Sequence, residues 1–160
     1  MYESVTYGRD TALISPQMKG NRDSIVDAAR EAARQAHAPY SGIHVGAAVQ
    51  AASGAVYLGA NVENAVYPLG NCAEVSAIAA GVQAEGAAFR IAELAVWATD
   101  RNGSAIAASP CGGCRQRIKE LAADDSVAIH FPWQADEIRT VTIAELLPFA
   151  FSLPSVQPPR

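Results

Sequence analysis

Cys72-Ala73-Glu74-Val75-Ser76-Ala77-Ile78-Ala79-Ala80-Gly81-Val82-Gln83-Ala84 is apolar or small almost all the way round a helical wheel, the pattern of a helix buried between layers. Apart from the Cys72 thiol, its only ionisable side chain is Glu74. A carboxylate taken out of water without a partner is costly enough that proteins pair it, protonate it or use it. Upstream, Val45 to Ala52 and Ala55 to Ala60 flank Ser53-Gly54, a two-residue turn that closes a tight hairpin. Residues 61 to 71 mix turn formers with polar groups and deliver the chain to the apolar helix. Further upstream, Ile25, Ala28, Ala29, Ala32 and Ala36 recur at helical spacing, predicting an amphipathic helix over 21–36 that the segment His37 to Gly42, with Pro39 inside it, brings to a stop. Downstream, Ile91 to Ala98 reads as a buried strand and Cys111 to Ala122 as a helix. That helix has Arg115, Gln116, Arg117, Lys119 and Glu120 on its wet side and Ile118 and Leu121 facing inward. Short strands over 127–131 and 138–143 and a helical turn over 144–147 follow. Helices interleaved with strands, one hairpin among them, predict an α/β sandwich around a mixed sheet.

The whole chain has 160 residues, 50% hydrophobic and 18% charged, a size and composition that fit one folded domain and exclude disorder. We divide it into an irregular N-terminal arm (1–19), a single domain (20–152) and a Pro-rich tail (153–160). The formal net charge of -4 argues against a surface that binds DNA or RNA by counterion release. No apolar run reaches the roughly 18 residues needed to cross a bilayer. The three cysteines cannot all pair within one chain and nothing reads as a signal peptide, so a disulfide-stapled secreted domain is not expected and a cytoplasmic location is.

Two of the cysteines stand in Ser109-Pro110-Cys111-Gly112-Gly113-Cys114-Arg115-Gln116, a Cys-x-x-Cys loop opening onto a helix. Taken alone the pair is a redox couple, half of a zinc site or two inert thiols. His37, His44 and His130 show no metal spacing among themselves and read as surface or satisfied core residues. Structural zinc takes four protein ligands, whereas catalytic zinc keeps three and leaves a position for water. Three sulfurs with Glu74 two residues after the first therefore suit an open zinc site with a proton carrier beside it. Cys-x-Glu followed by Pro-Cys-x-x-Cys is also the three-cysteine form of the zinc deaminase pattern. In that chemistry zinc lowers the pKa of a bound water, the resulting hydroxide attacks the ring carbon bearing the amine, and the carboxylate moves the protons.

These residues resemble the cytidine deaminase family in its small single-domain form. The likeness runs from Ala38 to Phe151 and rests on five blocks: Ala38-Pro39-Tyr40-Ser41 with Val45-Gly46-Ala47-Ala48; Asn61-Val62-Glu63-Asn64-Ala65; Cys72-Ala73-Glu74; Pro110-Cys111-Gly112-Gly113-Cys114-Arg115-Gln116; and Leu146-Leu147-Pro148-Phe149-Ala150-Phe151. The resemblance implies a three-layer α/β/α sandwich with a five-stranded mixed sheet. It implies hydrolytic deamination of cytidine and deoxycytidine, and a homotetramer whose active sites borrow residues from neighbouring subunits. By the same likeness Cys72, Cys111 and Cys114 hold one Zn²⁺ per chain and Glu74 is catalytic. Asn61 and Glu63 contact the ribose, Ala73 and Ile43 contact the substrate, and Tyr67 and Phe151 reach toward a neighbour's site.

Two positions depart from the family pattern. Val75 stands where Arg usually offsets the thiolate charge, which should loosen the metal or raise the pKa of its water unless Arg115 and two helix N-termini compensate. Ile43 replaces a Phe that packs on the pyrimidine. These departures keep a second reading in view, a deaminase of another aminated nucleoside such as a modified cytosine nucleoside or a blasticidin-type antibiotic. A zinc-binding ligand sensor without catalysis leaves Glu74 unexplained, and a thiol-disulfide oxidoreductase leaves both Cys72 and Glu74 unexplained.

Overall fold

The computed structural model describes residues 22–134 and 137–153. The expected N-terminal arm and residues 154–160 of the expected tail lie outside them. Five strands form one sheet in the order β2-β1-β3-β4-β5: β1 (His44–Ala51), β2 (Val56–Ala60), β3 (Ile91–Thr99), β4 (Ala128–Gln134) and β5 (Glu137–Thr142). Every pair is antiparallel except β3 with β4, so the sheet is mixed as expected. The β1–β2 hairpin closes at the predicted place but through three residues, Ala52, Ser53 and Gly54, rather than two: the Ala51 N–H donates to the Ala55 carbonyl, and Gly54, at φ 90°, donates its N–H to the Ala51 carbonyl. Pro132 sits inside β4 beyond the stretch that pairs with β3, where its missing N–H leaves no gap in that ladder.

Helix α1 (Arg22–Ala33) covers one face of the sheet and α2 (Ala73–Glu85) with α3 (Gly112–Leu121) the other, giving the three-layer sandwich. On the α1 face, Ile25, Val26 and Ala29 meet Ala48, Ala95 and Trp97. On the opposite face Ala73, Ala77, Ile78 and Ile118 meet Val49, Leu94, Val96 and Ile129. A short helix α4 (Ile143–Leu146), held by a capping box between Thr142 and Glu145, buries Ile143 under the same layer.

Three further expectations are corrected. α1 stops at Ala33 rather than Ala36, because the next three N–H groups bond three residues back and tighten the chain before His37. α2 is not enclosed on all sides: Ala79, Ala80, Val82, Gln83 and Ala84 are exposed, so this helix is an outer layer with a second apolar face that the described residues leave uncovered. Arg115 is not on the wet side of α3. It is half-buried, and its guanidinium donates to the Pro110 carbonyl at 2.8 Å, Ser109 Oγ at 3.2 Å and the Leu146 carbonyl at 3.2 Å.

Gly59 sets how closely α2 approaches the sheet, since a Cβ there would run into the backbone of Ala73 and Ala77. Gly59→Ala is expected to cost about 1–3 kcal/mol by overpacking. It should lower the melting temperature by about 2–4 °C per kcal/mol. Because the displaced turn carries Cys72 and Glu74, thermal melts with and without zinc should show the loss in both states and a smaller stabilisation by metal.

Candidate active site

Two antiparallel hydrogen bonds of 2.9 Å between Val62 and Asn71 cinch the 62–71 loop, so that the chain enters α2 at Cys72. A 3₁₀ turn, Tyr67–Leu69, lies inside that loop. Ser76 Oγ donates to the Ala60 carbonyl at 3.1 Å and anchors the first turn of α2 to the end of β2. Cys72 is the N-cap residue of α2, and Cys111 is the N-cap residue of α3. Cys114 lies in the first turn of α3 and is buried. The crossing of the two helix starts brings all three Sγ atoms within 4.8 Å of one another, with Cys72 and Cys111 at 3.9 Å.

That donor set fits zinc. Four-coordinate zinc with Zn–S near 2.3 Å holds its sulfurs about 3.8 Å apart, close to the observed spacing, and three ligands leave one position open. Both helix N-termini favour thiolate at this point. The contact with Cys114 pulls the Cys72 thiol down to about 6, while the same contact and burial push Cys114 up. Among the described residues no histidine joins the cluster. His130 is the satisfied core residue expected of it, with Nε2 2.7 Å from Glu93 and Nδ1 2.9 Å from Thr140 Oγ1.

Glu74 is 4% exposed on the first turn of α2. Burial raises its pKa above the ordinary carboxylate value, and the Cys72 charge adds to that. Its own backbone N–H, the Cys114 thiol and Arg117 pull in the other direction. A carboxyl so placed holds a proton more readily than an exposed one, which suits a group that must take and return protons.

Above the thiols opens a cleft of about 360 Å³ whose walls include Asn61, Glu63, Tyr67, Ala73, Glu74 and Cys111. Asn61 already spans two backbone groups: Oδ1 accepts from the Val45 N–H at 2.8 Å and Nδ2 donates to the Ile43 carbonyl at 3.0 Å. One N–H and one lone pair remain. Glu63 accepts from Ser41 Oγ and from the N–H groups of Tyr40 (2.9 Å) and Ser41 (3.2 Å), leaving about one of its four acceptor sites open. Both residues therefore hold the segment 40–45 and still present a free group to a ligand.

The Glu63 arrangement has a pH signature. The Ser41 hydroxyl, then the two backbone N–H groups, with His37 assisting, lower the Glu63 pKa below its ordinary 4.5. A depressed carboxylate contributes stability above its unfolded value and loses it as pH falls through the folded one. Glu63→Gln should therefore melt lower than wild type at pH 7, with the difference closing below pH 4.5; a difference unchanged in acid would mean that the charge is not what holds the segment.

Ile43 and Phe151 do not line the cleft. Ile43 sits beside it, 41% exposed, with its carbonyl on Asn61. Phe151 is 69% exposed, and its backbone is clasped at both N–H and carbonyl by the Gln116 side chain. Tyr67 is on the cleft wall and 81% exposed. Charge compensation is expected from Arg115 and two helix N-termini, but the structure engages the Arg115 guanidinium elsewhere; the cation the sequence does not single out is Arg117, whose guanidinium lies against Gly113 of the Cys-x-x-Cys turn. Its spacing three residues after Cys114 was the available signal.

Residues 20–130 match the family described as "Cytidine and deoxycytidylate deaminase zinc-binding region". A cytidine deaminase of Sporosarcina psychrophila is 38% identical over 130 residues, 81% of this chain and 90% of that protein. One from Halalkalibacterium halodurans is 39% identical over 132 residues, 82% of this chain and 95% of that protein. Among solved structures, cytidine deaminase from Burkholderia pseudomallei superposes with a TM-score of 0.71 at 34% identity, covering 82% of this chain and all of that one.

Proposed function

The chain belongs to the cytidine and deoxycytidylate deaminase family, and from that premise we propose that it hydrolyses cytidine and deoxycytidine to uridine and deoxyuridine with release of ammonia. The observation that carries this reading is a single cleft lined by Glu74, by Cys72 and Cys111 of the thiol cluster, and by Asn61 and Glu63. Cys72, Cys111 and Cys114 would hold a zinc ion, whose chemistry there would be to activate a water near neutral pH. Glu74 would take one proton of the attacking water and pass it to the ring nitrogen, and would then carry that water's second proton to the departing amine. One water is consumed and one ammonia leaves. The remaining N–H of Asn61 and the open acceptor site of Glu63 hold the sugar diol, one donating and one accepting. Ala73 lines the cleft with only a methyl group, which leaves room for the base, and Ile43 borders the entrance.

A homotetramer completes the site. The uncovered face of α2 and exposed Tyr67, Phe149 and Phe151 are apolar groups that a partner subunit would bury. Tyr67 and Phe151 then reach into neighbouring clefts. A cytoplasmic location suits a centre that needs three reduced thiols. Val75 keeps a second substrate class in view, a modified cytosine nucleoside or a blasticidin-type antibiotic. The test is ammonia release from cytidine, deoxycytidine, cytosine, 5-substituted cytidines and blasticidin S by the zinc-loaded protein, with native mass spectrometry for assembly. Preferred turnover of the two simple nucleosides supports the proposal. Preference for blasticidin S moves the assignment to the second class, and no turnover of any of them refutes it.

A further inference from the structure

Three thiolates on a divalent zinc leave a charge of -1, and an ionised Glu74 beside them adds another. Unless a cation stands close by, that excess weakens the hold on the metal. Val75, next to Glu74, brings none, and the Arg115 guanidinium is consumed by Pro110, Ser109 and Leu146. Arg117 is placed differently. It stands one turn after Cys114, and its guanidinium folds back along α3 onto Gly113 of the Cys-Gly-Gly-Cys turn, so that a Cβ at Gly113 would lie 3.1 Å from Nη1. Together with Val75 it lines the groove between α2 and α3, the two helices whose starts carry the thiols. Among the described residues no carboxylate pairs with it.

We propose that Arg117 is the cation that balances the three-thiolate centre, a positioning residue that sets zinc affinity from outside the ligand shell, with the bare Gly113 giving its guanidinium room to lie against the Cys-x-x-Cys turn. The inference deepens the zinc-deaminase reading of the same site and rests on it. It accounts for how a metal centre next to Val75 keeps its charge in balance: the compensating group comes from the opposite wall of the α2–α3 groove.

The experiment measures zinc affinity of the full chain by competition with the chromophoric chelator 4-(2-pyridylazo)resorcinol, for wild type, Arg117→Met, Arg117→Lys and Arg117→Met combined with Val75→Arg. Arg117→Met should weaken zinc binding about 10- to 100-fold. Arg117→Lys should keep most of the affinity, and Val75→Arg should restore it in the Arg117→Met background by placing a cation on the other wall. Melting of the metal-free Arg117→Met and Arg117→Lys proteins should be nearly that of wild type, since the Arg117 side chain is exposed. Wild-type affinity in Arg117→Met overturns the proposal, as does an Arg117→Lys variant that binds as weakly as Arg117→Met. Because the readout is metal binding and not turnover, a wrong substrate assignment leaves this pattern intact and shows itself separately as the absence of product from a zinc-loaded wild type.

Discussion

Glu74→Gln is expected to lower kcat/KM for cytidine by about 10²–10⁴-fold, the range that a positioned general acid–base contributes, while zinc content stays at the wild-type level. Glutamine matches the shape of glutamate and keeps the α2 start packed under the sheet, but it has no proton to exchange at neutral pH. Glu74 is buried at the floor of the cleft beside Cys114, so no bulk water replaces it in the proton transfers. The metal should remain because the sulfur ligands are untouched, and removing a carboxylate lessens the negative charge beside them. Ammonia release and metal content measured on the same sample separate the two effects. Full activity in Glu74→Gln would falsify the proton-carrier role; loss of zinc along with activity would show that Glu74 holds the metal centre together.

The second large effect is on the metal itself. Cys111→Ala leaves two thiolates where three are needed, and both zinc content and deamination should fall to background. Cys111 is exposed at the start of α3, so its truncation opens no core cavity and the metal-free variant should fold as the metal-free wild type does. Cys114→Ala is a less clean experiment because that side chain is buried, and its removal adds a packing loss to the ligand loss. Circular dichroism of the metal-free Cys111→Ala protein and zinc analysis after dialysis check both halves. A variant that retains its zinc would mean that the cluster binds through other groups.

Much of this architecture is legible in the residues, and what escapes has a common physical cause. Ser53-Gly54 predicts the hairpin because the turn chemistry is local. Cys72, Glu74, Cys111 and Cys114 can be picked out because sulfur and a lone acid in apolar surroundings need a reason to be there. Arg115 is misassigned because helical periodicity does not show that its guanidinium turns back onto Pro110 and Ser109 and also reaches the Leu146 carbonyl, 31 residues away in sequence. The double duty of Asn61 is hidden likewise, since it bridges Ile43 and Val45 across the sheet end. The uncovered face of α2 escapes because a helix apolar all round looks the same whether its second face meets its own chain or another. Ile43 and Phe151 are assigned to the substrate by likeness to relatives, and in the single chain they stand at the margin of the cleft.

The central claim, that the three-cysteine site and Glu74 make one hydrolytic centre, is tested most directly by titrating the metal-free protein with zinc while following ammonia and uridine formed from cytidine. The account predicts no turnover without metal, a linear rise in activity that breaks at one zinc per chain, and one ammonia for each uridine. Turnover by the metal-free protein, or a fully zinc-loaded protein that forms no uridine, would contradict it.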